Sequence, residues 1–252
     1  MKESTGLRKV QAAPLHEQIY TEISDALIVG RFIPGDILST RELAGELGTS
    51  PMPVRDALWR LVSDGALETT PTRKFRVPLL NVRKFTQLCS VRSMLEGEAA
   101  ALAAVNATPK TLANIAALNE RMTEATEGDK ALETLKHNRA FHFGIYEAAD
   151  NGVLLHAIRL LWLQCGPYFL AMFSALTNNP TPGAPKNPHA TNSHNEILDA
   201  LDRRNPKDAR KGIQNDIKGT ENMYLKLAKA EERSETKGTL LPRFGGVRLN
   251  SR

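Results

Sequence analysis

The sequence predicts a mainly α-helical protein: an N-terminal winged helix-turn-helix with a small β-hairpin wing, then a C-terminal all-helical bundle. Three observations predict this. Two short amphipathic segments, 40–47 and 51–64, are joined by a tight turn at Gly48, which is the sequence form of a helix-turn-helix. Two short alternating runs, 66–70 and 75–79, flank Pro71-Thr72-Arg73-Lys74 and read as a hairpin. Beyond residue 82, Gly and Pro become scarce inside long stretches of helical period.

The elements follow in order. Residues 1–13 are polar and unpatterned and read as a mobile arm. From Leu15, apolar residues at 15, 19, 20, 23, 26 and 27 recur at helical spacing until Gly30, and Pro34-Gly35 makes a turn. Ser39 or Thr40 caps the next helix, with Glu42 in its first turn. A third helix starts after the polar cap Ser50, carries Pro53 in its first turn where a missing N–H costs little, and stops at Gly65. Leu43, Ala44, Leu47, Val54, Leu58 and Leu61 form the small core of this unit, which spans 14–79. Pro78 to Val82 reads as a hinge. The bundle, 80–232, divides into helices at about 82–105, 109–127, 129–149, 152–176, 192–204 and 206–232, with caps at Thr108-Pro109, Asn151-Gly152 and Asn205-Pro206. Gly166-Pro167 should kink its fourth helix. The proline-rich stretch 178–188 reads as a loop, and the basic tail 233–252 as disordered.

Composition narrows the class. The chain has 252 residues, of which 41% are apolar and 24% charged, as in an ordinary globular protein. No uncharged apolar run reaches about 18 residues, and the first 14 residues are polar. The expectation is no membrane span, no signal peptide and a cytoplasmic site. Cys89 and Cys165 lie in helical apolar patterns without paired spacing and read as reduced, buried thiols. Net charge is +5, yet residues 1–80 hold 10 basic and 10 acidic side chains, while 233–252 alone contributes +4. Total charge therefore carries no argument for nucleic-acid binding, and local placement must carry it.

Local placement does point to DNA. In a winged helix-turn-helix the N-terminal end of the recognition helix enters the major groove. The candidates here are Ser50, Pro51, Met52, Pro53 and Arg55 at that end, Arg41 on the supporting helix, and Arg73, Lys74 and Arg76 in the wing, with Ser50, Pro51, Met52, Arg55, Arg41, Arg73 and Lys74 favoured. A guanidinium fork can bond O6 and N7 of guanine together or clamp a phosphate. The competing assignment pairs Arg41 and Arg55 with Glu42 or Asp56 on the surface. Trp59 reads as packing.

The motif Ser39-x-Arg-Glu-Leu-Ala, then Ser50-x-x-Pro-Val-Arg-Asp-Ala-Leu-x-x-Leu, then Asp64-Gly-Ala-Leu, resembles the GntR family of bacterial regulators. The helical remainder resembles its FadR-type branch, whose ligand-binding domain is called FCD. The resemblance covers about residues 14–230. It implies a homodimer on a short palindromic operator of double-stranded DNA, released (less often recruited) by a small metabolite, and so a repressor in the commoner case. Arg41, Ser50 and Arg55 stand at the family's DNA-contacting positions. Pro51 stands where many members have arginine, and Lys74 where the wing usually has glycine.

In the bundle, Asn138 and His142 share a helix face at i, i+4; His194 opens a later helix, and Asp216 lies on the last. Spacing alone does not make these a site. The resemblance does, because metal-binding FCD domains use one aspartate and three histidines. His142 and His194 match two histidines, Asn138 replaces the aspartate, and Asp216 replaces the last histidine. Such a set implies one divalent ion (Zn, Ni, Mn or Fe), or else a site that hydrogen-bonds its effector directly. Arg92 matches a cavity-facing position. As a buried cation it needs an anionic partner, either a small carboxylate effector or Glu96 at i+4. Arg92, Asn138, His142 and His194 are thus the expected effector site. Two other classes stay open: a metal-dependent enzyme using the two-histidine, one-carboxylate set, and an architectural DNA binder without ligand. In the leading reading, ligand biases the pose of the winged domains through the hinge near Pro78.

Overall fold

The computed structural model describes residues 15–79, 81–128, 130–177 and 188–236. The order is α1 (Leu15–Ile28), β1 (Ile37–Leu38), α2 (Thr40–Glu46), α3 (Pro51–Ser63), β2 (Glu68–Thr69), β3 (Phe75–Arg76), α4 (Val82–Asn106), α5 (Pro109–Glu127), α6 (Ala131–Ala148), α7 (Gly152–Thr177), α8 (Pro188–Asp202) and α9 (Pro206–Thr236). The expected arm (1–13), most of the proline-rich loop (178–187) and the end of the tail (237–252) lie outside the described residues.

The N-terminal unit packs α1 across α3, with α2 against α3. Ile19, Ile23 and Leu27 from α1, Leu43 and Ala44 from α2, and Val54, Leu58 and Leu61 from α3 are all buried in one core. Leu47 is not among them. It is the residue after the last turn of a seven-residue helix and stands exposed. The wing is a three-stranded antiparallel sheet of order β1-β3-β2, with Leu38 opposite Phe75 and Thr69 also opposite Phe75. Strand β1 is absent from the sequence reading because two residues are too few to display an alternating pattern. The hairpin strands are shorter than expected: Pro78, which has no N–H to donate, follows directly after the buried Val77.

Caps account for most helix starts. Ser39 Oγ accepts from the Glu42 N–H, Asn81 Oδ1 from Lys84, Thr108 Oγ1 from Thr111, and Asn151 Oδ1 from Leu154. Ser50 is different, since it holds the N-cap position of α3 but its side chain makes no capping bond. Pro53 occupies the third helical position and so removes one of the two N–H groups such a hydroxyl could take, leaving only that of Met52. Two boundaries also move. Pro188 sits in the first turn of α8, where its fixed φ suits a helix start, so that helix begins earlier than residue 192. Helix α9 runs on to Thr236 because 226–235 is rich in Ala, Lys, Glu and Arg, so the segment from Arg233 starts as helix.

In the bundle α4 packs along α9, α5 along α6, and α8 against α9, while α7 touches α4, α6 and α9. The stretch Gly152–Leu170 of α7 is long and apolar enough to cross a membrane. Here it serves as a packed helix, burying Ile158, Trp162, Leu163, Cys165 and Tyr168.

Helix α7 also carries the N-terminal unit, because α1 lies directly on it. It continues through Gly166-Pro167 as one helix, and Gly166 explains itself by proximity. A Cβ there would meet Ile28 Cα at 2.4 Å and the Leu27 carbonyl oxygen at 2.5 Å. Gly30, at φ +77°, faces Leu170 Cβ just as closely, with an added Cβ falling at 2.7 Å. Around this contact Arg139 of α6 pairs with Asp25 of α1, and Lys84 Nζ donates to the Gly65 carbonyl at 3.4 Å. The segment 78–82 is thus not the sole connection between the two units.

Mid-helix glycine replaced by alanine ordinarily gains about 1 kcal/mol of helix propensity. Gly166→Ala is expected to reverse that sign and destabilise the protein by about 1–3 kcal/mol, as overpacking does. A denaturant midpoint higher than wild type would contradict the close approach of α1.

Candidate functional site

Two constellations emerge. The first is a concave groove of about 1130 Å³ between α2, α3 and the wing, lined among others by Arg41, Pro51, Met52, Arg55, Trp59, Arg73 and Lys74. Ser50, exposed, caps the helix at its edge. The seven favoured candidates therefore lie on or beside one face, whereas Pro53 and Arg76 do not line the groove, Arg76 being held by Glu68. Among the described residues, no ion pair engages Arg41, Arg55, Arg73 or Lys74, so the competing pairing with Glu42 or Asp56 is absent. Two other arginines of this unit, Arg60 and Arg76, are tied into the scaffold. Arg60 binds Glu17 at 2.5 Å and lies 4.0 Å over the Tyr20 ring, and Arg76 Nε donates to Glu68 at 2.8 Å. Trp59 packs edge-on against Phe75, with ring centroids 5.4 Å apart, and floors the groove.

The wing tip is strained in one place. Its left-handed residue is Arg73, at φ +58°, rather than Lys74 beside it. Arg73 N–H donates to the Thr70 carbonyl and the Lys74 N–H to Thr70 Oγ1, closing the turn. A non-glycine residue in this conformation costs about 1 kcal/mol or more. An arginine side chain is thus held at the tip against local preference.

The second constellation is a small cavity of about 70 Å³, lined by Arg92, Asn138, His142, Trp162, Phe169, Asp216 and others. Ligand atoms of His142, His194 and Asp216 all lie within 4.8 Å of one another, and all three residues are buried. His142 Nε2 is 3.5 Å from Asp216 Oδ2, and His194 Nε2 is 3.9 Å from Asp216 Oδ1. Asn138 lines the same cavity one helical turn before His142.

Outer partners orient each ring. His194 Nδ1 lies 2.9 Å from Asn119 Oδ1, an atom that can only accept, so the proton is on Nδ1 and the Nε2 lone pair faces the aspartate. The Tyr146 hydroxyl donates to Glu96, which leaves its oxygen to accept from His142 Nδ1 at 3.1 Å. Both imidazoles therefore turn Nε2 towards Asp216. Burial pushes the His142 pKa down to about 3, with the nearby Asp216 charge opposing, so the ring is a neutral ligand throughout the ordinary pH range. Ser193 Oγ donates to Asp216 Oδ1 at 2.6 Å and holds the carboxylate. Two imidazole nitrogens turned towards one anchored carboxylate make a donor set that fits a divalent ion.

Arg92 closes the chain of contacts. Nε and Nη2 bond the two Glu96 oxygens at 2.6 and 3.2 Å, and the guanidinium lies 4.7 Å over Trp162. Of the two anionic partners left open above, the structure contains Glu96. Burial alone would lower the Arg92 pKa, but the adjacent Glu96 charge outweighs it and holds the pKa above its usual value. Arg92 still lines the cavity, as an already neutralised cation. Sequence reading missed Asn119, Tyr146 and Ser193. Tyr146 was findable, being one turn from His142 on the same face, whereas nothing local marks Asn119.

Known proteins supply the wider frame. Residues 15–77 match the model of the bacterial regulatory proteins of the gntR family, and residues 87–219 match the FCD domain. The HTH-type transcriptional regulator McbR of Escherichia coli is 34% identical over 68% of this chain and 77% of its own length. The Glc operon transcriptional activator of the same organism is 31% identical over 61% of this chain and 68% of its own. A probable D-xylose utilization operon repressor of Paenarthrobacter nicotinovorans is 30% identical over 79% and 82%. The solved structure of E. coli McbR/YncC superposes with a TM-score of 0.76 over 86% of this chain and all of that one, at 29% identity. Both families and these relatives are transcription regulators, so the metal-dependent enzyme reading finds no support. The chain belongs to the GntR family of bacterial regulatory proteins, with an FCD domain behind its winged helix-turn-helix, and is a DNA-binding regulator of transcription.

Proposed function

We propose that this regulator is a repressor of the FadR-type branch, working in the cytoplasm as a homodimer on a palindromic operator and released by a small carboxylate. The observation that carries the effector side is the convergence of His142, His194 and Asp216, with both ring tautomers set from outside. These three, with Asn138 beside them, would hold one divalent ion, which supplies Lewis-acid attraction for a carboxylate oxygen. Arg92 is neutralised by Glu96, and Asp216 leaves the apo cavity net negative, so bound metal reverses that sign and favours a monoanion. The cavity is small, with Trp162, Phe169 and Met172 on its apolar side and Thr134, Asn138 and Thr220 among its polar lining, which suits a short acid. On the DNA side, Arg41, Ser50, Pro51, Met52, Arg55, Arg73 and Lys74 form the contact surface, a reading supported by their shared face and by arginines left without internal partners.

Control travels along α7. Trp162 and Phe169 wall the cavity, and Gly166 between them lies on the end of α1. Asn138 in the cavity is next to Arg139, which grips Asp25 of α1. An effector that moves either ring or Asn138 shifts the pose of α1, and with it the whole reading head, alongside any bending at 78–82. The homodimer is supported by an apolar stripe on the outer face of α4, where Val91, Met94 and Val105 are exposed at helical spacing.

Release of operator by a titrated panel of short carboxylic acids, followed by fluorescence anisotropy with and without Zn²⁺, tests the central reading; indifference to every acid would sink it. Arg55→Ala is expected to cost about 1–3 kcal/mol of operator affinity with an unchanged melting temperature. Arg73→Gly should melt near wild type, because relief of the left-handed strain offsets the added freedom of the unfolded chain, yet bind DNA more weakly. Unaltered affinity in both variants would remove this face from the DNA interface. Saturating Zn²⁺ or Ni²⁺, at about a hundredfold excess over Kd, should stabilise wild type by about 2.7 kcal/mol and His142→Ala not at all. Tyr146→Phe, which releases the His142 tautomer, should weaken metal binding about 10–100-fold, and equal calorimetric Kd values would refute that positioning role.

A further inference from the structure

The tip of α3 is unlike the rest of its groove. It presents Pro51 and Met52, and Met52 is 67% exposed, more than any other large apolar side chain described before residue 80. Nothing in the core depends on this methionine. Arg41 and Arg55 stand beside it on the same groove wall. Backbone donors are also scarce at the tip. Among the first three helical residues, two are prolines, so Met52 alone keeps an N–H, and the Ser50 hydroxyl makes no capping bond.

A guanine edge in the major groove presents two acceptors and needs a donor fork. A thymine edge presents one acceptor and a 5-methyl group, the only apolar feature any unmodified base offers there. Where the Pro51 and Met52 side chains themselves cover a base edge, guanine would leave its acceptors unsatisfied, whereas the thymine methyl would be buried without loss. We infer that Met52, backed by Pro51, is a specificity-determining residue that selects thymine by its 5-methyl group in each operator half-site. This rests on the reading that the first turn of α3 enters the major groove, with Arg41 and Arg55 holding phosphates or neighbouring bases to either side.

The test begins by enriching binding sites for the full chain from a random duplex pool. The enriched half-site should carry an invariant thymine, and its replacement by deoxyuridine, which deletes only the methyl, should weaken binding about fourfold per half-site. Met52→Leu should keep that ratio, and Met52→Ala should bind thymine and deoxyuridine duplexes equally. Arg55→Ala should weaken binding to both while retaining the ratio. If deoxyuridine at every thymine of the enriched site leaves wild-type affinity unchanged, or if Met52→Ala keeps the ratio, the inference is overturned. If Arg55→Ala also binds normally, the docking of α3 itself is what fails.

Discussion

The contact between Gly166 of α7 and the carbonyl end of α1 is the constraint on which this architecture turns. Without a side chain at that one position, backbone meets backbone and the reading head is held to the bundle by surface rather than by a tether alone. A flexible linker would leave the winged unit sampling many poses, and in the proposed homodimer many spacings, with an entropy cost on every encounter with DNA. A docked α1 narrows that range. For the proposed effector it would also supply something rigid to push against, because α7 both walls the cavity and carries α1.

The polar interior follows the same economy of placement. Arg92, Glu96, Tyr146 and His142 form a continuous hydrogen-bonded run across α4 and α6, ending at the nitrogen that fixes the imidazole tautomer. Buried charges of this kind are costly when unpaired and add little stability when paired. Their value here is orientation: each member restricts the next, and the outcome is an Nε2 lone pair aimed at Asp216. Asn119 and Ser193 do the same for His194 and for the carboxylate.

Much of the fold was legible in the chain because it is written in local periods. Helical spacing, the caps at Ser39, Thr108 and Asn205, and the glycine stops located nearly every helix. Misses occurred where the signal was too short or was carried by chemistry out of register with its motif. Strand β1 has only two residues. Ser50 looks like an ordinary cap until Pro53 removes one of the two N–H groups it could take. Leu47 has the right period for the core but sits past the end of its helix. At the site, the motif residues of the groove were readable by position, and the histidines by resemblance.

The sequence by itself determined the classes of element, the reading head with its donor-poor, apolar tip, and the residue types able to ligate a metal. Each depends only on neighbours within a few positions, where bond geometry and propensity act directly. Tertiary structure alone decided that His142 and His194 present the same nitrogen to Asp216, and that Gly166 meets α1. Such choices are settled by which distant surfaces come within a few ångströms, and nothing in the spacing along a chain encodes that distance.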